Sequence, residues 1–393
     1  MKAPGSRDEM KAEYGRYTAR RVLFIAAFAV LIVALILISI TVGTRSLSVT
    51  EVYTYLIDHI RGRVYDRATE YQMWYDDSIV WNYRLPRALF AVLAGTSLAV
   101  AGAAMQSVMK NPLADPYTTG ISSGALMGVA ISMVLGFTVG GGGVDGFGTI
   151  INAMIFAMIP VAVIYIMAPF FNRSPSTLIL AGTAVAYLFN SLTDILLVTT
   201  DEQTLSEVYK WQVGSLSDVT WDAVPLVLIT TIVGTVILLF LSGKLNLMSL
   251  DDKDAKSLGL DSEKMRLVCL LVLSFMAAAV ISYAGIIGFV GLIVPHMVRL
   301  VIGSDNRFVI PASIVVGASF LLICDIIARA LDISAAAIPV GVVTALIGSP
   351  IFLYLIVKNR RAIWRWYPRE SVRVSAPTAG RVTAASWHPR CWS

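Results

Sequence analysis

A few charged residues in this chain have spacings that suit recognition. Arg84 and Arg87 flank Pro86 three positions apart, and Asp325 precedes Arg329 by four, one helical turn. An arginine carries a planar fork of donors that matches a carboxylate. The plainer reading of an arginine at the end of an apolar run is a topology anchor that snorkels to headgroups. Asp325 and Arg329 read as a structural i,i+4 pair rather than a transport site. Asn190 and Asp194 repeat the one-turn spacing inside another apolar run, where an ionisable side chain faces a bundle interior or water. His296 stands alone after Pro295, and Cys269, Cys324 and Cys391 are scattered, so no metal site, disulfide framework or catalytic residue is assigned. Phosphate chemistry fares no better. Leu241-Ser-Gly-Lys244 has Leu238 where the first glycine of a phosphate loop belongs and Leu245 where magnesium needs a hydroxyl. Gly140–Gly143 follows no strand and precedes no lysine, and reads as an outer turn. The chain is therefore read as a non-enzyme that binds no cofactor.

The elements that position these residues are membrane helices. The 393 residues are 56% hydrophobic and 15% charged, against about 25% charged in a soluble domain. Apolar runs predict an all-α, polytopic membrane protein of about ten transmembrane helices, at roughly 22–43, 87–109, 118–139, 149–171, 178–200, 223–242, 265–284, 287–302, 309–331 and 339–357. The eighth is short and is interrupted by Gly288, Gly291 and Pro295. Val22–Val42 has neither the short core nor the cleavage site of a signal peptide and reads as a retained first helix. The even count puts both termini on one side. That side carries more basic residues, including Arg20, Arg21, Lys110, Lys244, Lys253, Lys256, Lys264 and Lys358. Both termini are therefore expected in the cytoplasm of a multi-pass protein of the cell (inner or plasma) membrane. Topology alone explains the net charge of +5, and nucleic acid is not needed. Residues 1–21 are expected as a cytoplasmic segment, 22–357 as the transmembrane domain, and 358–393 as a basic, disordered tail. The second to fifth and seventh to tenth spans each begin near an arginine, a pattern compatible with an inverted repeat.

Within Arg84–Gly128, Ala88–Met109 is long enough to cross the bilayer. Its small residues suit close helix packing: Ala94, Gly95, Ser97, Ala99, Ala101, Gly102, Ala103 and Ala104. Asn111-Pro112 is expected to end that helix, and Asp115-Pro116 to cap and restart the next. Ser48-Val-Thr-Glu51 is a capping box for a short amphipathic helix. In the loop Gly243–Lys264, Ser249-Leu-Asp-Asp252 can cap a helix along which Leu250, Ala255 and Leu258 recur. Gly259 is expected to end it, and Asp261 to cap the next helix. Such a loop is either a docking element or a solvated connector.

These residues also carry a resemblance. RLPR, the small-residue helix, NPLADP and the following Gly-Ile-Ser-Ser-Gly resemble the signature of the FecCD-type permeases. So do Ala284–Arg299 (AGIIGFVGLIVPHMVR) and Pro339–Leu355 (PVGVVTALIGSPIFLYL), and the likeness runs from about Thr44 to Val357. It implies the membrane-spanning permease subunit of a binding-protein-dependent ABC importer. The implied partners are ATPase subunits that hold ATP and magnesium, an extracytoplasmic binding protein, a second permease copy in a homodimer, and membrane lipid. It further implies that Arg84, Arg87 and Arg329 dock the binding protein, and that Ser249, Leu250, Ala255, Leu258 and Gly259 couple to the ATPase. Asn111, Leu113, Ser174, Ser176 and Thr177 would close the inner end of the pathway. The family commonly has an acidic residue before Pro-Val-Gly, where this chain has Ala337-Ile338. The cargo implied is a ferric siderophore or related metal chelate, with cobalamin or haem as the alternative. Hydropathy alone would equally fit an ion-coupled secondary transporter with a midplane ion site on a broken helix.

Overall fold

Short side chains let other helices approach a helix closely on every side. The small residues between Ala94 and Ala104 meet that condition, and all of them are buried. The computed structural model describes residues 7–43, 45–139, 146–170, 174–331 and 338–358. In chain order its helices are α1 (Arg7–Thr41), α2 (Val49–Ile60), α3 (Tyr71–Ser78), α4 (Leu85–Val108), α5 (Ile121–Leu135), α6 (Phe147–Met167), α7 (Pro175–Val198) and α8 (Glu202–Val213). They continue with α9 (Ala223–Phe240), α10 (Ser242–Met248), α11 (Asp252–Ser257), α12 (Ser262–Ala284), α13 (Val290–Ile302), α14 (Asn306–Ala330) and α15 (Val340–Lys358). Central α4 packs on α14, α12, α13 and α9; α5 packs on α6 and α7, and α1 lies along α14. The chain divides into Met1–Leu353 and a second unit, Tyr354–Ser393, of which the last residues of α15 are described. The glycine turn at 140–143, Ala337 and the tail beyond Lys358 lie outside the described residues.

Among the described residues, eight helical stretches are long and apolar enough to cross a membrane, and α5 and α13 are the shorter apolar helices at the third and eighth expected spans. The 13 residues of α13 reach about 20 Å at 1.5 Å per residue, short of roughly 30 Å of hydrocarbon. Non-helical backbone at 285–289 leads into it. Such backbone survives at membrane depth only where protein satisfies it. Here Ile287 O accepts the Tyr117 hydroxyl at 3.1 Å and the Gly285 N–H donates to Ile281 O at 2.8 Å.

Several boundaries differ from the sequence reading, each for a local reason. The second span begins well before the arginines: α3 passes through a π-helical turn, Ile79–Arg84, into α4 as one stretch, Tyr71–Val108. In that turn the Leu85 N–H bonds Val80 O, five residues back. The wider turn makes room for Pro86, whose ring clashes with a carbonyl four residues back in an α-helix. At the other end α4 stops at Val108, before Asn111-Pro112, and Lys110 turns the chain with φ +49°. Asp115 caps only a 3₁₀ turn, Pro116–Thr119, by accepting the Tyr117 N–H at 2.9 Å; left-handed Gly120 (φ +87°) then reverses the chain before α5. The Ser48–Glu51 capping box is present at the start of α2.

Two glycine contacts set the distance of α4 from its neighbours. A Cβ on Gly95 would lie 2.3 Å from Gly317 O on α14, and one on Gly102 would lie 1.9 Å from Gly291 O on α13. Gly95→Val should therefore push α14 off α4. The cost should exceed the roughly 1–3 kcal/mol of ordinary overpacking, because backbone rather than a side chain is in the way. The expected result is a large loss of monodisperse protein in detergent size-exclusion profiles, with Gly15→Ala, which meets nothing within 4 Å, unchanged.

Candidate functional site

The last carbonyls of a helix have no partner within it. At the end of α1 two distant arginines supply donors. Arg84 Nη1 donates to Ile40 O (3.2 Å) and Thr41 O (3.1 Å), and its Nη2 donates to Arg45 O (2.5 Å). Arg329 Nη1 donates to Ser39 O and Val42 O, both at 2.8 Å, and its Nη2 to the Ser39 hydroxyl. Positive charge there also complements the negative end of the helix dipole. Asp325 joins the set from α14: Oδ2 lies 2.7 Å from Arg329 Nη2, and Oδ1 lies 2.8 Å from Arg87 Nε. The i,i+4 pair is thus present, and Arg87 is a third member that sequence spacing did not reveal. Asp325 is fully buried, and the Arg87 and Arg329 side chains are 12% and 8% exposed. All three arginines implied as docking residues are engaged by acceptors within this chain.

They also form part of the wall of a cavity of about 650 Å³. Two further cations line it. Arg45 pairs with Asp76 at 2.5 Å, and exposed Arg67 lies over the Trp74 ring. No motif in the sequence marks these two, because both lie in polar segments outside the apolar runs.

α7 presents a different surface. Thr183, Tyr187, Asn190, Ser191 and Asp194 recur along one side of the helix, and every one is exposed. A carboxylate on that side cannot be turned to hydrocarbon without a large penalty, so the face belongs against water or another chain. At the start of α7, Ser174 accepts the Thr177 N–H at 3.2 Å and their hydroxyls meet at 2.8 Å. Two of the residues implied as gate members therefore form the helix cap, while Ser176 is exposed.

At the far end of α4 lies the loop of α10 and α11. The 24 residues of α4 separate it from the arginines by about 36 Å at 1.5 Å per residue. Ser249 does not cap α11, contrary to the sequence reading. Its hydroxyl donates to Asn246 O at 2.6 Å and closes α10, while Asp251, in extended backbone, takes the N-cap position. Ala255 is fully buried, whereas Leu250 and Leu258 are 40% and 60% exposed. Gly259 (φ +85°) ends α11 with bonds from Gly259 N to Lys256 O and from Leu260 N to Ala255 O, both 3.0 Å. A Cβ there meets nothing within 4 Å, so backbone angle and not space requires glycine in this chain. Asp261 caps α12 through the Lys264 N–H at 3.1 Å. That bond and the Lys264 side chain hold the Asp261 carboxyl below its ordinary range. In the turn after α4, Asn111 Oδ1 accepts the Leu113 N–H at 2.9 Å, and Leu113 is 49% exposed.

Membrane-length helices with charged clusters at their two ends, and a polar strip along one of them, describe a polytopic membrane protein. The model of the FecCD transport family matches residues 31–358, and the chain belongs to that family. It is an ABC importer permease, which sets aside the ion-coupled alternative. The chain is 34% identical to the cobalamin import system permease protein BtuC of Halobacterium salinarum, over 86% of this chain and 97% of that one. It is also 34% identical to the hemin transport system permease protein HmuU of Yersinia pestis, over 86% and 96%. A solved structure described as a metal-chelate-type ABC transporter in an inward-facing conformation matches with a TM-score of 0.72 and 30% identity. That match covers 85% of this chain and 98% of the other.

The arginine cluster yields a stability prediction. Asp325→Asn should leave the Arg87 and Arg329 guanidiniums without their shared counter-charge. Breaking such a buried set costs about 3–5 kcal/mol. A clearly lowered thermal midpoint in detergent is expected, and an unchanged midpoint would show that the ion pairs contribute nothing to the fold.

Proposed function

We propose that two copies of this chain enclose the path of a bulky, pre-chelated metal, with a ferric siderophore as the cargo. The observation that carries the reading is the polar face of α7. Hydroxyl, phenol and amide groups with one carboxylate line an exposed side of a membrane-length helix. Bare iron would call for converging oxygen or nitrogen ligands, and among the described residues no three His, Cys, Asp or Glu side chains gather. Side chains of the α7 type touch a large polar ligand without holding it. Relatives named for cobalamin and hemin support the large-chelate class; haem and cobalamin are the competing cargoes.

In this reading ATP is hydrolysed by separate ATPase chains at the cytoplasmic face, where both termini also lie, in the cell membrane. Leu250, Leu258 and Gly259 face the ATPase, and buried Ala255 holds the docking helix to the body. Asn111 and Leu113, with Ser174, Ser176 and Thr177, form the inner constriction. At the outer face an acidic side chain of the binding protein meets the arginine-lined cavity. Arg84, Arg87 and Arg329 supply positive potential from its wall, and Arg45 and Arg67 lie nearer the rim. Charge at such a rim acts mainly on association rate and orientation.

Two measurements test this. Vesicles carrying the full complex should take up radiolabelled ferric siderophore in an ATP-dependent and binding-protein-dependent manner. Uptake of free ferric ion with none of its chelates would overturn the reading. Arg67→Glu should slow binding-protein association, more strongly at low ionic strength, without lowering thermal stability. Equal association rates at both salt concentrations would remove the cavity from the docking surface.

A further inference from the structure

Lys110 and Phe289 are the non-glycine residues with positive φ among the described residues. Phe289 stands at the break before α13. Lys110 stands at the head of the inner turn, immediately before Asn111. From there its Nζ reaches the docking loop, donating to Leu250 O at 2.5 Å and to Asp252 Oδ1 at 2.8 Å. The same Oδ1 receives Arg266 Nη2 at 3.3 Å, and Arg266 Nε donates to Val108 O, the last residue of α4, at 3.3 Å. The Arg266 side chain is fully buried, Lys110 is 22% exposed and Asp252 46% exposed. Burial opposes the Asp252 charge, but the Lys110 hydrogen bond and the charge of Arg266 outweigh it and hold this carboxyl below its ordinary range.

We infer that Asp252 is the positioning residue through which the docking loop moves the inner turn. It is the first residue of α11, and its carboxylate is held by one cation from the inner turn and another from α12. A six-residue helix anchored by one buried alanine has little apolar surface with which to drag a neighbour. Charge-assisted hydrogen bonds are short and directional and pass a displacement on. A shift of α11 reaches Asn111–Ala114 through Lys110 and the end of α4 through Arg266. The inference rests on reading Leu250, Leu258 and Gly259 as the ATPase contact. It goes beyond that reading by naming the charged link between contact and gate.

The test uses the full complex in vesicles, with ATP hydrolysis and uptake measured on the same preparation. In Asp252→Asn and in Lys110→Met the ATPase chains should still co-purify and hydrolyse ATP. Uptake per ATP should fall about tenfold or more, the scale of one lost hydrogen bond to a charged group. Asp252→Glu should recover most of the ratio. The double variant Lys110→Met/Asp252→Asn should be no worse than the poorer single one, because both remove the same link. Nucleotide-dependent labelling of Leu113→Cys should disappear when Asp252→Asn is added. An unchanged ratio with labelling still nucleotide-dependent would overturn the inference, as would parallel losses of uptake, hydrolysis and thermal stability. A wild-type complex that couples no ATP hydrolysis to uptake would instead overturn the proposed function, and this inference with it.

Discussion

The structure depends on how closely other helices approach α4. Where Gly95 faces Gly317 and Gly102 faces Gly291, backbone meets backbone with no space for a Cβ. In lipid there is no water to drive helices together, so contact of this kind is the main source of association. It also sets the places of α13 and α14. Once α14 is seated at Gly317, Asp325 and Arg329, two and three turns further on, arrive beside Arg87 and the end of α1. The most apolar window of the Tyr71–Val108 stretch is 83% buried, against 17% for α1. One span forms the core, and the other leaves most of its length uncovered by the rest of the chain.

Buried cations recur at helix ends. Arg84 and Arg329 bind the terminal carbonyls of α1. At the end of α4, Arg266 binds Val108 O, and Arg299 binds Ala103 O at 3.0 Å together with the Gln106 side chain. Burying a guanidinium is costly unless its donors are filled, and a bare carbonyl at membrane depth is costly too. Pairing the two removes both penalties and adds the favourable helix-dipole term. The result is firm ends on the spans, which suits the motion proposed to pass from the α10–α11 loop to the turn after α4.

α7 departs from this pattern. Its most apolar window is 22% buried, and its exposed surface carries a polar strip beside exposed Leu188, Ile195 and Val198. In the proposed function that strip lines the path of the chelate, and the core around α4 supplies the rigid body beside it.

Much of this was legible in the residues alone. The apolar runs gave the place and order of the apolar helices, because burial in lipid demands length and composition, but not that two of the ten, α5 and α13, would be too short to cross as straight helices. The small residues of α4 announced a helix packed on all sides, and the Ser48 box, Gly259 and Asp261 marked their caps, since each is a local backbone requirement. Asp325 and Arg329 could be paired because one helical turn joins them. What lay beyond reach was any contact between distant segments. Arg87 with Asp325, Arg84 with the end of α1, and Lys110 and Arg266 with Asp252 leave no periodic trace. The π-turn at Ile79–Arg84, which carries Arg84 inward, is likewise invisible in a pattern tuned to the α-helical repeat. Those pairings were decided only when the glycines let α13 and α14 close on α4, because an ion pair in the membrane forms where packing brings the charges together, not where the sequence places them.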